Sequence, residues 1–462
     1  MRYAFSILFF LIIICSASFT QSSSDILNVL VEQNTISQGK ADSLRAEYSI
    51  KQQSSLPDKK LRIDAEFRSR TEFRNGYQQL RNDSSTGALF TNQRLRLSAN
   101  YVFDNRFMMQ VSVQDLRVWG QQDPRSTSAT LQLFEGWAEA YITNKLSVRI
   151  GRQRLIYDNQ RLFAENDWRL SAAVHDAINF RFYGPKLSSE LALAFNQSDE
   201  RYFGTDYAPS GFTNYKFLAV NYLRYKANDY FILTALNSTD GYQDKLNPDK
   251  INLRYTPGGR VEFESDNLYI TVSGYFQGGK NSSGKDLSAW YLQPEIRYTS
   301  SRNFVARFGA EFFSGSNNST ADNKDHSFVP LYGVAHRFNG SMDLITKFPA
   351  DVAGAGLVNP YLFIIQPLFT KIDVRADFHT FHLQQDYYTI DDIKINRYLG
   401  FENDFLITYK PNAVTKVDLG VSYMLPTESF EIVKNSGNSR YNLTWIYLSL
   451  TFKPQLLNLN FK

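Results

Sequence analysis

Leu61 to Arg74, LRIDAEFRSRTEFR, alternates without a break. Arg62, Asp64, Glu66, Arg68, Arg70, Glu72 and Arg74 take one set of positions, and Leu61, Ile63, Ala65, Phe67, Ser69, Thr71 and Phe73 take the other. Successive side chains of a strand point to opposite faces, so one face is charged and the other mostly apolar. On a helix the same period of two would spread charge around every side. Fourteen residues exceed the 9–11 or so that a tilted strand needs to cross a bilayer, and the usual strand of a soluble sandwich is about half as long. One face can meet lipid and the other a wet lumen.

The connections agree. Short turns are expected at Asp104-Asn105, Asn144-Lys145, Pro185-Lys186, Asn228-Asp229, 265–267, 300–302, 367–370 and 411–413. They alternate with long polar segments at 75–89, 119–129, 156–171, 197–213, 238–250, 277–286, 314–355, 383–397 and 426–441. Eight short turns and nine long loops describe about eighteen strands. Short periplasmic turns opposite longer outer loops are the habit of outer-membrane barrels, and a sandwich has no reason to sort its connections this way. The fold class expected is all-β: a transmembrane antiparallel β-barrel at 61–454, in a Gram-negative type outer membrane, with lipid as its surroundings. Pro294 and Pro360 fall inside expected strands; each removes a ladder donor, so a bulge is expected at each.

Composition fits. Aromatic residues make up 15% and the net charge is only +4 over 462 residues, which gives no reason to expect a nucleic-acid partner. Residues 1–20 read as a signal peptide: Arg2, an apolar stretch from Ala4 to Ile14, then small residues. Cys15, the one cysteine, is preceded by Ile14, so no lipoprotein anchor is read, and it would leave with the signal. No later run of 18 apolar residues offers a transmembrane helix. Residues 21–60 read as a short periplasmic helical segment, with two helices in 25–48, and a linker; 455–462 reads as a C-terminal tail.

Arg62, Arg68, Arg70, Arg74, Arg94, Arg96, Arg149, Arg152, Arg154 and Arg181 are the candidate inward residues of a substrate path. Arginine keeps its charge at ordinary pH and bonds carboxylates in pairs, and rings of it favour anions in pores. Asp64, Glu66, Glu72, Glu135 and Glu139 would hold these arginines in ladders, and such ladders equally serve only to keep a barrel interior polar and rigid. The densest stretch, GRQRLIYDNQRLFAENDWRL at 151–170, carries Asp158, Arg161, Asp167, Trp168 and Arg169 into a loop that could fold back as a gate or remain solvated outside.

GRQRLIYDNQRLF (151–163), EFFSGSNNSTADNK (311–324), FVPLYGVAHRFNGSMD (328–343) and TWIYLSLTFKP (444–454) resemble, in this order, segments of the alginate-export family of outer-membrane barrels. The matching positions are Arg152, Arg154, Asp158, His336, Phe338, Gly340 and Asp343; His336 and Asp343 join Asp158, Arg161 and Arg169 as candidate gate residues. The resemblance implies an eighteen-stranded, monomeric, porin-like barrel with an arginine-rich lumen passing an anionic polysaccharide or uronate-type sugar, and periplasmic export partners. The lead expectation is a passive channel for anionic solutes, with an anionic polysaccharide or small anions as partners, and a general or phosphate-type porin is the first alternative. A barrel plugged by 314–355 and used for adhesion is the second. No catalytic function is expected: His175-Asp176 and His336 with Asp343 lack a spacing that enforces a triad. No cofactor and no metal is expected, Asp322 to Asp325 being read as a solvated loop.

Overall fold

The computed structural model describes Leu44 and residues 59–461, apart from Asn105, Pro124, 126–129, 208–213, 245–246, Pro248 and 320–321. The expected signal peptide and periplasmic segment therefore lie outside the described residues, except Leu44, which is helical.

The wall begins with β1 (Lys59–Asn75), β2 (Ala88–Asp104), β3 (Phe107–Val118), β4 (Leu131–Tyr141), β5 (Leu146–Gln153) and β6 (His175–Tyr183). It continues with β7 (Leu187–Phe195), β8 (Phe217–Lys226), β9 (Phe231–Gln243), β10 (Ile251–Glu264), β11 (Leu268–Lys280), β12 (Asp286–Thr299) and β13 (Val305–Phe313). After the two-residue β14 (Lys324–Asp325) come β15 (Leu357–Phe369), β16 (Ile372–Leu383), β17 (Tyr398–Asn412), β18 (Thr415–Pro426), β19 (Leu443–Phe452) and β20 (Gln455–Phe461). Each wall strand pairs antiparallel with the next, and β14 only touches β12 inside a loop. The barrel closes on β1: its upper half pairs with β19, Phe67 opposite Phe452, and its lower half with β20, Lys59 opposite Phe461. β19 and β20 thus act as one last strand interrupted at Pro454, giving eighteen wall positions. The segment read as a tail completes the seam.

All eight short turns and nine long loops separate the expected strands, but β9 and β11 run on to Gln243 and Lys280, so the loops expected at 238–250 and 277–286 shrink to 244–250 and 281–285. The bulges expected at the prolines do not occur. Val272 faces Pro294, and Ala310 faces Pro360, in unbroken register. An antiparallel ladder bonds through alternate pairs, so an outward-facing proline costs one donor without displacing the strand. A register shift does occur where β4 meets β3, between Ser112 and Val113, and it turns both Phe134 and Glu135 inward.

Outward faces are apolar, with aromatic rings such as Phe231, Tyr298 and Tyr409 at one end of the wall and Tyr255, Phe276 and Trp290 toward the other. The inward strand faces are polar. An apolar core nevertheless exists inside the extracellular half, where two long loops fold back and bury Phe163, Phe338, Met342, Ile345 and Val352. A short helix, α1 (Glu428–Lys434), N-capped by Thr427, packs Phe430 and Val433 into the same core.

Candidate functional site

The two inserted segments are 154–174, between β5 and β6, and 314–356, between β13 and β15. They meet in the lumen at a single bridge, Phe163 beside Tyr332: Tyr332 N donates to the Leu162 carbonyl at 2.9 Å, and Val334 N donates to that of Gln160 at 3.0 Å. The approach is so close that a Cβ on Gly333 would lie 1.8 Å from the Arg161 carbonyl oxygen. Arg161 is completely buried. Its guanidinium pairs with Glu311 at 2.8 Å and donates to the Val334 carbonyl at 2.7 Å and Asn339 Oδ1 at 2.5 Å. Asp158 accepts from the hydroxyls of Tyr222 (3.0 Å) and Tyr275 (2.9 Å). Both residues, expected at a gate, are anchors that tie the first loop to the wall and to the second loop.

Asp167 is the other anchor. It meets Arg94 at 2.9 Å and Arg96 at 3.2 Å, while Arg68 donates to its carbonyl at 2.8 Å. Burial by itself would raise the Asp167 carboxyl, but Arg94, Arg68 and Arg96 hold it well below the usual carboxylate range. Next to it, Trp168 stacks on His336 with centroids 4.3 Å apart and receives the Arg70 guanidinium on its ring at 4.3 Å. His336 Nδ1 lies 2.9 Å from Asp343, which also accepts from the Tyr77 hydroxyl at 2.5 Å. Against the effect of burial, His336 and the Tyr77 hydroxyl lower the Asp343 carboxyl; the Tyr77 phenol is raised well above its ordinary value by burial and by Asp343. The second loop docks on β17 through backbone amides. Met342 N donates to Glu402 at 2.8 Å and Ser341 N to Asp404 at 3.1 Å; Gly340, at φ +81°, has no room for a Cβ beside the Glu402 carboxylate.

Nine of the ten path arginines do face inward, each engaged. Arg62 pairs with Asp64, Arg70 and Arg74 with Glu72, Arg94 with Glu66, Arg149 and Arg181 with Glu139, and Arg154 with Glu135 and Glu165. Arg68 and Arg96 are bound to Asp167 as described. Arg152 is the correction. It lies three residues from Arg149 on the same strand, hence on the opposite face, and pairs with exposed Asp176 on the outside of the wall at 2.9 Å. Its own alternation should have excluded it.

Arg169 is exposed, and its guanidinium makes no hydrogen bond or ion pair among the described residues. It lines a small outer cavity of about 50 Å³ with Val329, Leu331, Asp343 and Phe348. On the periplasmic side lies a chamber of about 680 Å³, walled by β1, β16 to β19 and the two loops. Asn166 and His336 line both cavities, so the partition is thinnest there. The chamber wall opposite the arginines (Arg375, Asp377, Asp404, Lys410, Lys416 and Asp418) was missed in the sequence. FENDF at 401–405 carried a signal, since alternate carboxylates on a strand share one face.

No protein-family model matches the chain, and no curated protein sequence matches it. Solved structures do. OpdK of Pseudomonas aeruginosa, crystallised with vanillate, superposes with a TM-score of 0.55 at 9% identity, over 87% of this chain and 99% of that one. OccAB1 of Acinetobacter baumannii gives 0.59 at 11% identity, over 86% and 97% of the two chains. A BenF-like porin from Pseudomonas fluorescens Pf-5 gives 0.55 at 10% identity, over 86% and 99%. At such identities the likeness establishes the fold. The chain is a closed, antiparallel, eighteen-stranded, porin-like barrel of the outer membrane.

Proposed function

We propose that the barrel is a passive channel for small anionic solutes, which cross between the outer cavity and the inner chamber past Asn166, His336 and Arg169. The observation that carries this is the state of the arginines. Those on the inward strand faces are already held by carboxylates or loop carbonyls, whereas Arg169 presents its charge to the lumen at the partition. An anion arriving there gains a charge-assisted partner that the protein has not already supplied. That OpdK is crystallised with vanillate is in keeping with this reading.

The finer alternative, passage of an alginate-like polysaccharide, rests on the four resembling segments. The lumen weighs against it, because a chamber of about 680 Å³ under two docked loops has the dimensions of a small-solute site. The same loop packing favours, as a second reading, a plugged barrel that conducts nothing. Planar-bilayer recording with the purified chain tests all three. Reversal potentials favouring a small carboxylate over its counter-cation support the channel. Block of that current by an oligouronate at micromolar concentration favours the polysaccharide reading. Absence of conductance at any voltage supports the plug and overturns the channel.

A further inference from the structure

Two carboxylates on one strand depart from the pattern of the lumen. Elsewhere on the inward faces a carboxylate meets a cation: Glu139 has Arg149, Asp240 has Arg254, Glu295 has Arg307 and Asp377 has Arg375. Glu402 and Asp404, two residues apart on β17 and hence on one face, make no ion pair among the described residues. Glu402 is completely buried and Asp404 is 6% exposed. Each gives one oxygen to the second inserted loop: Glu402 Oε1 accepts from Met342 N, and Asp404 Oδ2 from Ser341 N. The other two oxygens, Glu402 Oε2 and Asp404 Oδ1, are buried without a donor, while the two side chains lie within hydrogen-bonding reach of each other.

The surroundings supply no counter-charge. His379 on β16 stands opposite Glu402 but turns Nδ1 to Asn359 Oδ1 at 3.1 Å, and Asp377, opposite Asp404, already holds Arg375. On β18 the facing residues are Met424 and Ser422, whose hydroxyl reaches Asp404, and β19 presents the Tyr447 phenol. In the second loop His336 and Asp343 hold each other at 2.9 Å, and Lys434 of α1 is bound to Asp351. Two bare carboxylates here would repel each other and leave two buried oxygens without a donor. One proton between them removes both faults, since a carboxyl donates to a carboxylate. Packing is too close for a hydrated metal ion in that role, because even a Cβ on Gly340 would clash with both Glu402 oxygens.

We propose that Glu402 and Asp404 share one proton, and that this proton latches the tip of the second loop to the wall. Once it leaves, a second charge is buried beside the first, and lifting 340–342 off β17 brings water to both. The latched state binds one more proton than the released state, so it is lost as pH rises. The freed tip adjoins His336 and Asn166, and in a conducting barrel its release widens the partition.

Two measurements test this, and neither requires the barrel to conduct. Infrared spectroscopy at neutral pH is expected to show a protonated-carboxyl carbonyl band that vanishes in Glu402→Gln and in Asp404→Asn, whose amides keep the shape of the contact and supply the missing donor. No such band in the unaltered chain, or its survival at full strength in either variant, overturns the shared proton. The sequence's one cysteine, Cys15, sits in the expected signal peptide, so Met342→Cys places a clean thiol at the buried loop tip. Its reaction with a charged alkylating reagent follows the population of the open loop. At about pH 9 Met342→Cys is expected to react about tenfold faster than Met342→Cys/Glu402→Gln, and at about pH 7 equally fast, thiol ionisation cancelling in each comparison. A ratio of rates that is the same at both pH values overturns the latch.

Discussion

Arg161 of the first inserted loop lies 2.8 Å from Glu311 of β13, with both side chains out of contact with water. Glu311 also accepts from the Tyr291 hydroxyl at 2.6 Å. Removing one member of such a pair leaves an uncompensated buried charge, which costs about 3–5 kcal/mol. Arg161→Leu is therefore expected to lower the unfolding transition in detergent and to make single-channel currents noisy as the loop loses its pin. Arg161→Leu with Glu311→Gln removes the orphan charge and keeps an acceptor for Tyr291, so it should recover most of the loss. Differential scanning fluorimetry on the two variants checks the order.

Asp167 is expected to hold the tip of the same loop against β2. Asp167→Asn removes the acceptor of charge-assisted bonds from Arg94 and Arg96, each worth about 1.5–3 kcal/mol, and uncovers two cations in the lumen. Larger conductance and a reversal potential moved further toward anions are the expected outcome. Unchanged selectivity would mean that the arginines stay covered by Glu66 and Gln114 alone.

The wall was legible in the sequence because a strand's period of two is local, and Leu61 to Arg74 displays it without a partner. The loops were not, since whether 154–174 stays outside or enters the lumen depends on contacts as distant in sequence as Arg161 with Glu311 or Arg94 with Asp167. The candidate site fared accordingly. Asp158, Arg161, His336 and Asp343 were found as residues, but their work as anchors became visible only with Tyr222, Glu311, Trp168 and Tyr77 around them. Arg152 was misplaced through neglect of a rule already in use, since positions an odd number apart on a strand without a bulge cannot share a face.

Acid should open the partition late. Asp343 has a folded-state pKa below its unfolded value, so the stability it contributes is complete above the unfolded carboxylate value of about 3.9 and is lost as pH falls through the lower folded value. Asp167 shifts the same way. Conductance traces are thus expected to look alike from pH 7 down to about pH 4.5 as far as these two anchors are concerned, with added noise only in stronger acid. Asp343→Asn should bring that noise to neutral pH, because the amide keeps the shape of the contact and loses its charge.

The sharpest distinction lies between two arginines of the same short stretch. Arg152, half-buried, and Arg169, exposed, are both cations close to the first inserted loop, but the wall separates them. Arg152 has Asp176 beside it on the outer surface, while Arg169 faces the lumen next to Asp343 and Thr346. A charge about 4 Å from a passing ion alters its energy by about 1 kcal/mol even at the dielectric constant of water, and reversing that charge doubles the effect. Salt in a wet lumen screens part of this. Arg169→Glu should accordingly reduce the anion-to-cation permeability ratio by about tenfold in dilute salt and by less at 1 M. Arg152→Glu faces Asp176 across a surface that the solute never visits, so its cost falls on the outer rim and its reversal potential should equal that of the unaltered chain. If Arg152→Glu shifts the reversal potential and Arg169→Glu does not, anions are selected outside the barrel and the partition is not the selecting element.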